Sequence, residues 1–312
     1  MEYIKSDKFN IDCPTVVTFG KFDGIHIGHK ILVEEAVRIA ESEGLKVVLC
    51  TFDMSGWLEC RIPQISLADE RCRLCEKLGV DVLLEYPFDD DMATMEPEAF
   101  VEEFIQGKLN AKYVIVGTDW RFGINRSGDV SLLSSLQEKY GYKAVVMDKY
   151  LKDGREISST WIREEIKKGN MEEVAELLGY PYSVSGKVLH GNQIGRTIGF
   201  PTINFEPEKE KILPPFGAYV SSVTVDGISY KAVTNVGMKP TVEGNKSLTV
   251  ETHILDFAKD VYDDFLEVSL LHFIRPETKF ESFEALKKQL QFLYFQELSL
   301  QERLTHSLYQ VL

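Results

Sequence analysis

Two histidines separated by an isoleucine and a glycine, His26-Ile27-Gly28-His29, stand where a β-branched run gives way to a helical one. Thr15-Val16-Val17-Thr18-Phe19 reads as a buried strand, and Gly20-Lys21-Phe22-Asp23-Gly24 as the turn that follows it. From Ile31 to Ala40 apolar residues recur at helical spacing, and the pattern stops before Gly44. The imidazoles therefore lie at the mouth of a helix, where free backbone N–H groups and the helix dipole favour an anion. The chain has only six histidines, so two of them in this setting point to phosphate chemistry. Two surface histidines flanking a turn are the plainer reading of this motif taken alone.

At 312 residues the chain is long enough for two domains, each with its own core. Hydrophobic residues make up 44% and charged residues 27%, the balance of a globular protein. No apolar run approaches the ~20 residues that cross a bilayer, and the first residues carry no signal-peptide pattern. A cytoplasmic protein is expected, with no membrane partner. The net charge of -14, from 35 basic and 49 acidic residues, argues against a nucleic-acid partner. Small phosphorylated ligands need only a few local cations and remain open, as does the oligomeric state.

The five cysteines, an odd number, do not suggest a disulfide framework. Cys72-Arg73-Leu74-Cys75 has the spacing of a zinc or redox pair but lies inside an expected helix, 67–78, with no second pair downstream. Structural thiols are the other reading.

The first half alternates strands and helices: strand 46–52, helix 67–78, strand 80–84, helix 98–109, strand 113–117, helix 130–140, strand 143–147. Such alternation predicts a parallel sheet with helices on both faces and a ligand at the carboxyl ends of the strands. The loop holding His26 and His29 and the loop 118–129 both follow strands, so they should face one crevice. Two helices, 161–168 and 171–178, lead to Gly179-Tyr180-Pro181, where the pattern changes. Beyond it come strand-like runs at 182–189, 218–225, 228–234, 248–255 and 265–273, with a hairpin signal at Asp226-Gly227. A small antiparallel barrel is expected there, followed by a terminal helix at 282–290. The domains are expected to span 1–181 and 182–312.

Gly20 through His29 resembles the signature of the HxGH nucleotidyltransferase superfamily, and Ile157-Ser158-Ser159-Thr160-Trp161-Ile162-Arg163 resembles its second signature, ISSTxIR. Attack on the α-phosphorus of a nucleoside triphosphate builds negative charge and needs no covalent intermediate, so positioning and charge stabilisation carry the rate. On this resemblance His26 and His29 donate hydrogen bonds to the triphosphate and Gly20, Phe22, Asp23 and Gly28 shape its cradle. Ser159 and Thr160 cap the next helix and meet phosphate, and Arg163 neutralises the leaving pyrophosphate. Within the superfamily the chain is similar to bacterial bifunctional FAD synthetases, which join riboflavin kinase to FMN adenylyltransferase. The run Gly117 to Gly123 followed by Arg126-Ser127-Gly128 resembles the loop that family uses for flavin, and this implies Asp119, Arg121, Phe122 and Arg126 as flavin-binding. Trp120 stands where the family usually has phenylalanine, and Asp53-Met54-Ser55-Gly56-Trp57 where many members have Pro-His-Pro.

Gly195-Arg196-Thr197-Ile198-Gly199-Phe200-Pro201-Thr202-Ile203-Asn204 resembles the riboflavin kinase motif G-R-x-x-G-F-P-T-x-N. Gly195, Arg196 and Gly199 then belong to a loop that wraps ATP. Thr202 and Asn204, two apart, share a face of an extended segment and offer hard oxygen ligands for Mg²⁺. In Leu248-Thr249-Val250-Glu251-Thr252-His253-Ile254-Leu255, alternation puts Glu251 and His253 opposite Leu248, Val250 and Ile254. Spacing alone leaves Glu251 either solvent-facing or functional; the resemblance implies the catalytic base for the riboflavin hydroxyl, and His253 as structural. Arg275 is implied near flavin. Asn235-Val236-Gly237 also looks like a family element, whereas the run 289–295 lacks the aspartate usual in the terminal helix.

The implied function is bifunctional: ATP phosphorylates riboflavin to FMN in the barrel, and ATP adenylylates FMN to FAD and pyrophosphate in the α/β domain, both steps with Mg²⁺. A riboflavin kinase with a degenerate adenylyltransferase half, and a flavin-binding regulator without turnover, are the alternatives.

Overall fold

The computed structural model describes residues 1–54, 62–190, 202–240 and 246–277, and divides into two compact units, Met1–Trp161 and Ile162–Leu312. The expected boundary at 181 falls later than this division: α6 (Ser159–Lys168) bridges the break, and α7 (Met171–Leu178) belongs to the second unit. In α7 the residues Met171, Val174, Leu177 and Leu178 are buried, and the helix packs on the strands of that unit.

The first unit contains β1 (Glu2–Ile4), β2 (Thr15–Phe19), α1 (Ile27–Glu43), β3 (Lys46–Asp53), α2 (Ala68–Lys77), β4 (Val82–Pro87) and α3 (Asp90–Thr94). There follow α4 (Pro97–Ala99), which passes into a π-helical stretch Phe100–Lys108, then β5 (Ala111–Gly117), β6 (Arg121–Phe122) and β7 (Gly128–Asp129). The unit's chain continues through α5 (Val130–Tyr140), β8 (Lys143–Met147), β9 (Leu151–Lys152) and β10 (Arg155–Glu156). Six strands form one parallel sheet in the order β1-β4-β3-β2-β5-β8, as the alternation requires. From β2 the chain builds outward through β3 to β4, then returns to the other side of β2 as β5. The switch in strand order therefore lies between β2 and β5, and a crevice opens there at their carboxyl ends. Val16, Val17, Leu49, Leu84 and Val114 are wholly buried, the continuous apolar character of strands covered on both faces.

Boundaries differ from the expected ones where the local signal was weak. α1 begins at Ile27, so Gly28 and His29 lie in its first turn while His26 is its extended N-cap residue, with φ -68° and ψ 172°. The expected helix 98–109 starts at Pro97, and its later part is π-helical. β1, too short for a periodicity to show, extends the sheet by pairing with β4.

In the second unit β11 (Tyr182–Lys187), β12 (Thr202–Phe205), β13 (Gly217–Val225), β14 (Ile228–Pro240), β15 (Lys246–Ile254) and β16 (Phe265–Pro276) form one antiparallel sheet, ordered β11-β16-β13-β14-β15-β12. The sheet curls so that Leu189 N, just past β11, donates to Asn204 O on the far edge strand at 2.7 Å. Asp226 and Gly227, with φ 51° and 77°, make the tight hairpin turn between Val225 and Ile228. β14 runs six residues beyond the expected end at Thr234, because β15 continues to pair with it. The expected terminal helix 282–290 lies outside the described residues.

The interior of this sheet is largely apolar, with Tyr182, Tyr219, Phe205, Val236, Val250 and Val268 buried. Three hydroxyls cross it as a chain: Ser221 Oγ lies 2.7 Å from Thr234 Oγ1, which lies 2.9 Å from Thr252 Oγ1, and all three residues are fully buried. Thr234→Val removes the central link and leaves two buried hydroxyls short of a partner, so it should cost about 1–3 kcal/mol in urea unfolding. Replacing all three with apolar side chains of similar shape should recover most of that loss; a triple variant less stable than Thr234→Val would contradict this account.

Candidate active sites

The turn between β2 and α1 is strained and tightly clamped. Phe22 and Ile25 have φ of 47° and 30°, unusual for residues with a side chain, and both are wholly buried. Asp23 Oδ1 accepts hydrogen bonds from Ile65 N (2.9 Å) and Ser66 N (3.0 Å), and Gly24 N donates to Ser66 Oγ at 2.9 Å. Ser159 Oγ donates to Asp23 O at 2.9 Å, which ties the second sequence motif to the first. Asp23 and Phe22 thus shape the cradle from beneath: the Asp23 carboxylate holds backbone, and the Phe22 ring packs in the core 5.0 Å from the His29 ring. Gly20 N is bound to Cys50 O on β3 at 3.2 Å.

This clamp fixes two imidazoles face to face. The His26 and His29 rings stack with centroids 3.7 Å apart and planes 17° from parallel. A Cβ on Gly28 would come within 3.3 Å of the His26 ring, so glycine keeps that ring close to the helix start. Burial lowers the His26 pKa from 6.5 to about 4, and burial together with His26 holds His29 well below the ordinary histidine value. Both are neutral at pH 7. Each Nδ1 is enclosed without a hydrogen-bond partner, so the tautomer of lower cost carries its proton on Nε2, the accessible nitrogen.

Among the described residues five buried side-chain polar atoms lack a partner: Thr18 Oγ1, His26 Nδ1, His29 Nδ1, Asn204 Oδ1 and Arg71 Nε. Folded proteins leave few such atoms, so each one calls for an explanation. Three lie on β2 or at the α1 start, and Asn204 belongs to the kinase-like motif that ends at that residue. Arg71 instead faces Glu85, at 3.4 Å.

Helix α6 starts at Ser159, but its cap is Ser158, whose Oγ accepts from Trp161 N at 3.3 Å; the sequence suggested Ser159 and Thr160 for that role. The side chain one before the helix reaches the free N–H of its third residue, and this releases Ser159 to bind Asp23. Thr160 is exposed, and Arg163 follows Ser159 by one turn of α6.

The loop after β5 opens at the same crevice as the histidine turn, since β2 and β5 are neighbours. Asp119 is exposed and paired with Lys149 at 2.9 Å, while Arg121 is exposed, with Nη1 donating to Trp120 O at 3.0 Å. Arg126 is exposed and has φ 58°. Phe122 is buried rather than open to a ligand, stacked 4.6 Å from Trp120, and Trp120 stacks in turn on Phe19 at 5.2 Å. Trp120, passed over as a site residue, is the half-buried outer member of this stack and the aromatic surface the loop presents. Cys75 is fully buried in the apolar core, which pushes its thiol up to about 12, and Cys72 packs against the same core. Among the described residues no three His, Cys, Asp or Glu side chains gather as a metal site.

In the second unit, register assembles the other candidate site. Asn204 on β12 pairs with Glu251 on β15, and Glu251 pairs with Asn235 on β14. Thr202 pairs with His253 on the same face. Asn204 Nδ2 donates to Thr202 Oγ1 at 3.3 Å, which leaves Oδ1 enclosed and without a partner. An amide oxygen so placed, beside a hydroxyl, suits a hard cation. Glu251 is ion-paired with Lys239, a residue the sequence reading did not single out. A cavity of 280 Å³ opens beside Thr202, lined with Ile203, Ile254, Phe257, Val261 and Tyr262 among others. Arg275 is half-buried near the end of β16, with Nη1 donating to Pro276 O at 3.1 Å. Gly195, Arg196 and Gly199 lie outside the described residues, as do residues 55–57 of the segment that replaces Pro-His-Pro.

Both halves match models of known families: FAD synthetase over residues 8–161 and riboflavin kinase over residues 178–292. The bifunctional riboflavin kinase/FMN adenylyltransferase of Listeria monocytogenes is 32% identical over 90% of each chain. The chain belongs to the bifunctional riboflavin kinase/FMN adenylyltransferase family. The member from Escherichia coli K12 is 34% identical over 88% of this chain and 89% of its own. A crystal structure named macrolide-efflux protein from Streptococcus pneumoniae superposes with a TM-score of 0.83 at 32% identity, covering 93% of this chain and 97% of that one. Among the described residues no helix is long and apolar enough to cross a membrane. Family membership accounts for the two site assemblies occurring together in one chain.

The depressed His26 pKa has a consequence for stability. The unfolded chain binds the proton below pH 6.5 and the folded one only near pH 4, so stability falls as pH drops through that window. From pH 7 to pH 5 His26 alone should account for about 2 kcal/mol. Denaturant unfolding of His26→Gln at both pH values should show that much less pH dependence; an unchanged difference would refute the assignment.

Proposed function

We propose that this chain makes FAD in two steps. Its second unit transfers the γ-phosphoryl group of ATP to riboflavin, giving FMN and ADP, and the first transfers AMP from a second ATP to FMN, giving FAD and pyrophosphate. The observation that carries this reading is that each unit brings its own motif residues together: the stacked histidines at the β2–β5 switch, and Asn204 beside Glu251 on one face of the curled sheet. A flavin-binding regulator would not need the second arrangement.

At the first site the Nε2–H groups of His26 and His29 donate to the triphosphate. An approaching polyanion favours their protonation, so charge meets the phosphate oxygens as the bond to pyrophosphate breaks. The start of α1 adds backbone N–H donors, and Arg163 on α6 neutralises pyrophosphate. Asp23 and Ser159 position the turn. Asp119, Arg121, Phe122 and Arg126 form the flavin loop, with Trp120 as its stacking surface. At the second site Thr202 and Asn204 would hold Mg²⁺: the enclosed, unpartnered Asn204 amide oxygen and the Thr202 hydroxyl fit it, and the ion would supply charge stabilisation to the phosphates. Glu251 takes the proton of the attacking riboflavin hydroxyl, and Gly195, Arg196 and Gly199 enclose ATP. The cavity beside Thr202 receives the nucleoside of ATP, and Arg275 lies toward the flavin. The functional boundary stays near residue 181, and the enzyme works in the cytoplasm without nucleic-acid or membrane partners.

Purified protein given riboflavin, ATP and Mg²⁺ should yield FMN and FAD on chromatography, and EDTA should stop both. His29→Ala should cut FAD formation at least ~100-fold and spare FMN, whereas Glu251→Ala should abolish FMN formation yet still convert supplied FMN to FAD. Asn204→Ala should raise the Mg²⁺ concentration needed for FMN formation alone. Loss of both activities from either single change, in folded protein, would overturn the two-site assignment.

A further inference from the structure

On the face that carries Glu251, a charged group that the proposed chemistry has not used contacts it directly. In the β14–β15 register Asn235 lies opposite Glu251, Gly237 opposite Thr249 and Lys239 opposite Ser247, so by alternation all six occupy one face. Lys239 and Glu251 are thus offset along the strands, and their side chains reach toward each other across the row of Gly237 and close an ion pair through Glu251 Oε1. Gly237 leaves that row open: a Cβ there would lie 2.6 Å from Glu277 Oε1 and 3.2 Å from Asn235 Nδ2. The neighbours of Glu251 across the strands, Asn204 and Asn235, are uncharged amides, which leaves Lys239 as its ionic partner among the described residues.

The side chains of the pair are 40% and 33% exposed. Ion pairs this open to water add little to stability, so the effect of this one is geometric. We infer that Lys239 is a positioning residue of the kinase site, holding one carboxylate oxygen of Glu251 so that the other faces the riboflavin hydroxyl. The inference rests on the reading of Glu251 as the base. Oε1 is occupied by the ammonium, and Oε2 is the oxygen left to take the proton. As that proton moves to Oε2, the hydroxyl oxygen bonds to the γ-phosphorus and the bond from phosphorus to the bridging oxygen breaks, with its electron pair leaving on ADP. Without the lysine the carboxylate loses the ionic partner that fixes which oxygen faces the hydroxyl. Base catalysis is sensitive to this because a small misplacement of the accepting oxygen costs far more rate than affinity.

Steady-state kinetics of FMN formation on the full chain test this, with FAD formation from supplied FMN as the check on the first unit and urea unfolding as the check that the second unit of each variant is folded. Lys239→Met should lower kcat about tenfold or more while the KM values for ATP and riboflavin move less than about threefold. Lys239→Arg should restore most of kcat, since it also pairs with a carboxylate. The double variant with Glu251→Gln should be no slower than Glu251→Gln alone, because the lysine acts through the glutamate. An unchanged kcat in Lys239→Met, with Glu251→Gln inactive, would overturn the positioning role and leave the base reading intact. A raised KM for ATP at full kcat would overturn it too, by making the lysine a phosphate ligand. Full activity in Glu251→Gln would overturn the base reading itself, and the inference with it.

Discussion

A slip of one residue between β12 and β15 would send Asn204 and Glu251 to opposite faces of the sheet, because side chains alternate along a strand. Register is therefore the constraint on which the second unit's chemistry depends, and the buried residues enforce it. Phe205, Val250, Thr252 and Ile254 fill the interior, and shifting any of them outward would expose apolar area and break the Ser221–Thr234–Thr252 hydroxyl chain. The same hydrogen-bonded ladder in the first unit sets β2 beside β5 and so decides which loops meet at the crevice. In both units, packing of residues that never touch substrate determines where the reactive side chains stand.

The first site shows how strain and desolvation are held in place. Two side-chain-bearing residues with positive φ each cost on the order of 1–3 kcal/mol. They persist because Phe22 and Ile25 are locked in the core and Asp23 is bound to the backbone of Ile65 and Ser66. What that strain secures is a pair of imidazoles stacked at 3.7 Å, neutral at rest because they are largely withdrawn from water. Such a pair is a poor site for a cation and a ready one for a polyphosphate, whose own charge restores the protonation that burial took away.

Buried polar atoms without partners give an independent view of the same sites. Among the described residues the interior elsewhere leaves one such atom, Arg71 Nε, and otherwise pairs its polar groups, as Thr15 does with Leu109 O at 2.6 Å and Tyr142 with Leu133 O at 2.5 Å. The exceptions at His26, His29, Thr18 and Asn204 sit where the motifs do. Leaving these atoms unpaired has a free-energy cost that the resting fold bears.

By itself the sequence determined a good deal. Alternating strands and helices gave the parallel sheet and where it ends, since a strand covered on both faces must be apolar throughout; Lys143–Met147 and Met171–Leu178 appear where periodicity put them. The spacing of Thr202 and Asn204, and of Glu251 and His253, set which side chains share a face. What tertiary structure decided was which local roles survive contact with distant residues. The Ser159 hydroxyl is taken by Asp23, far away in the chain, so Ser158 does the capping. Phe22 and Phe122 turn into cores rather than toward a ligand, because a motif fixes residue type but not the side its ring faces. Lys239 is a plain strand lysine in the sequence; only the β14–β15 register brings its ammonium onto Glu251.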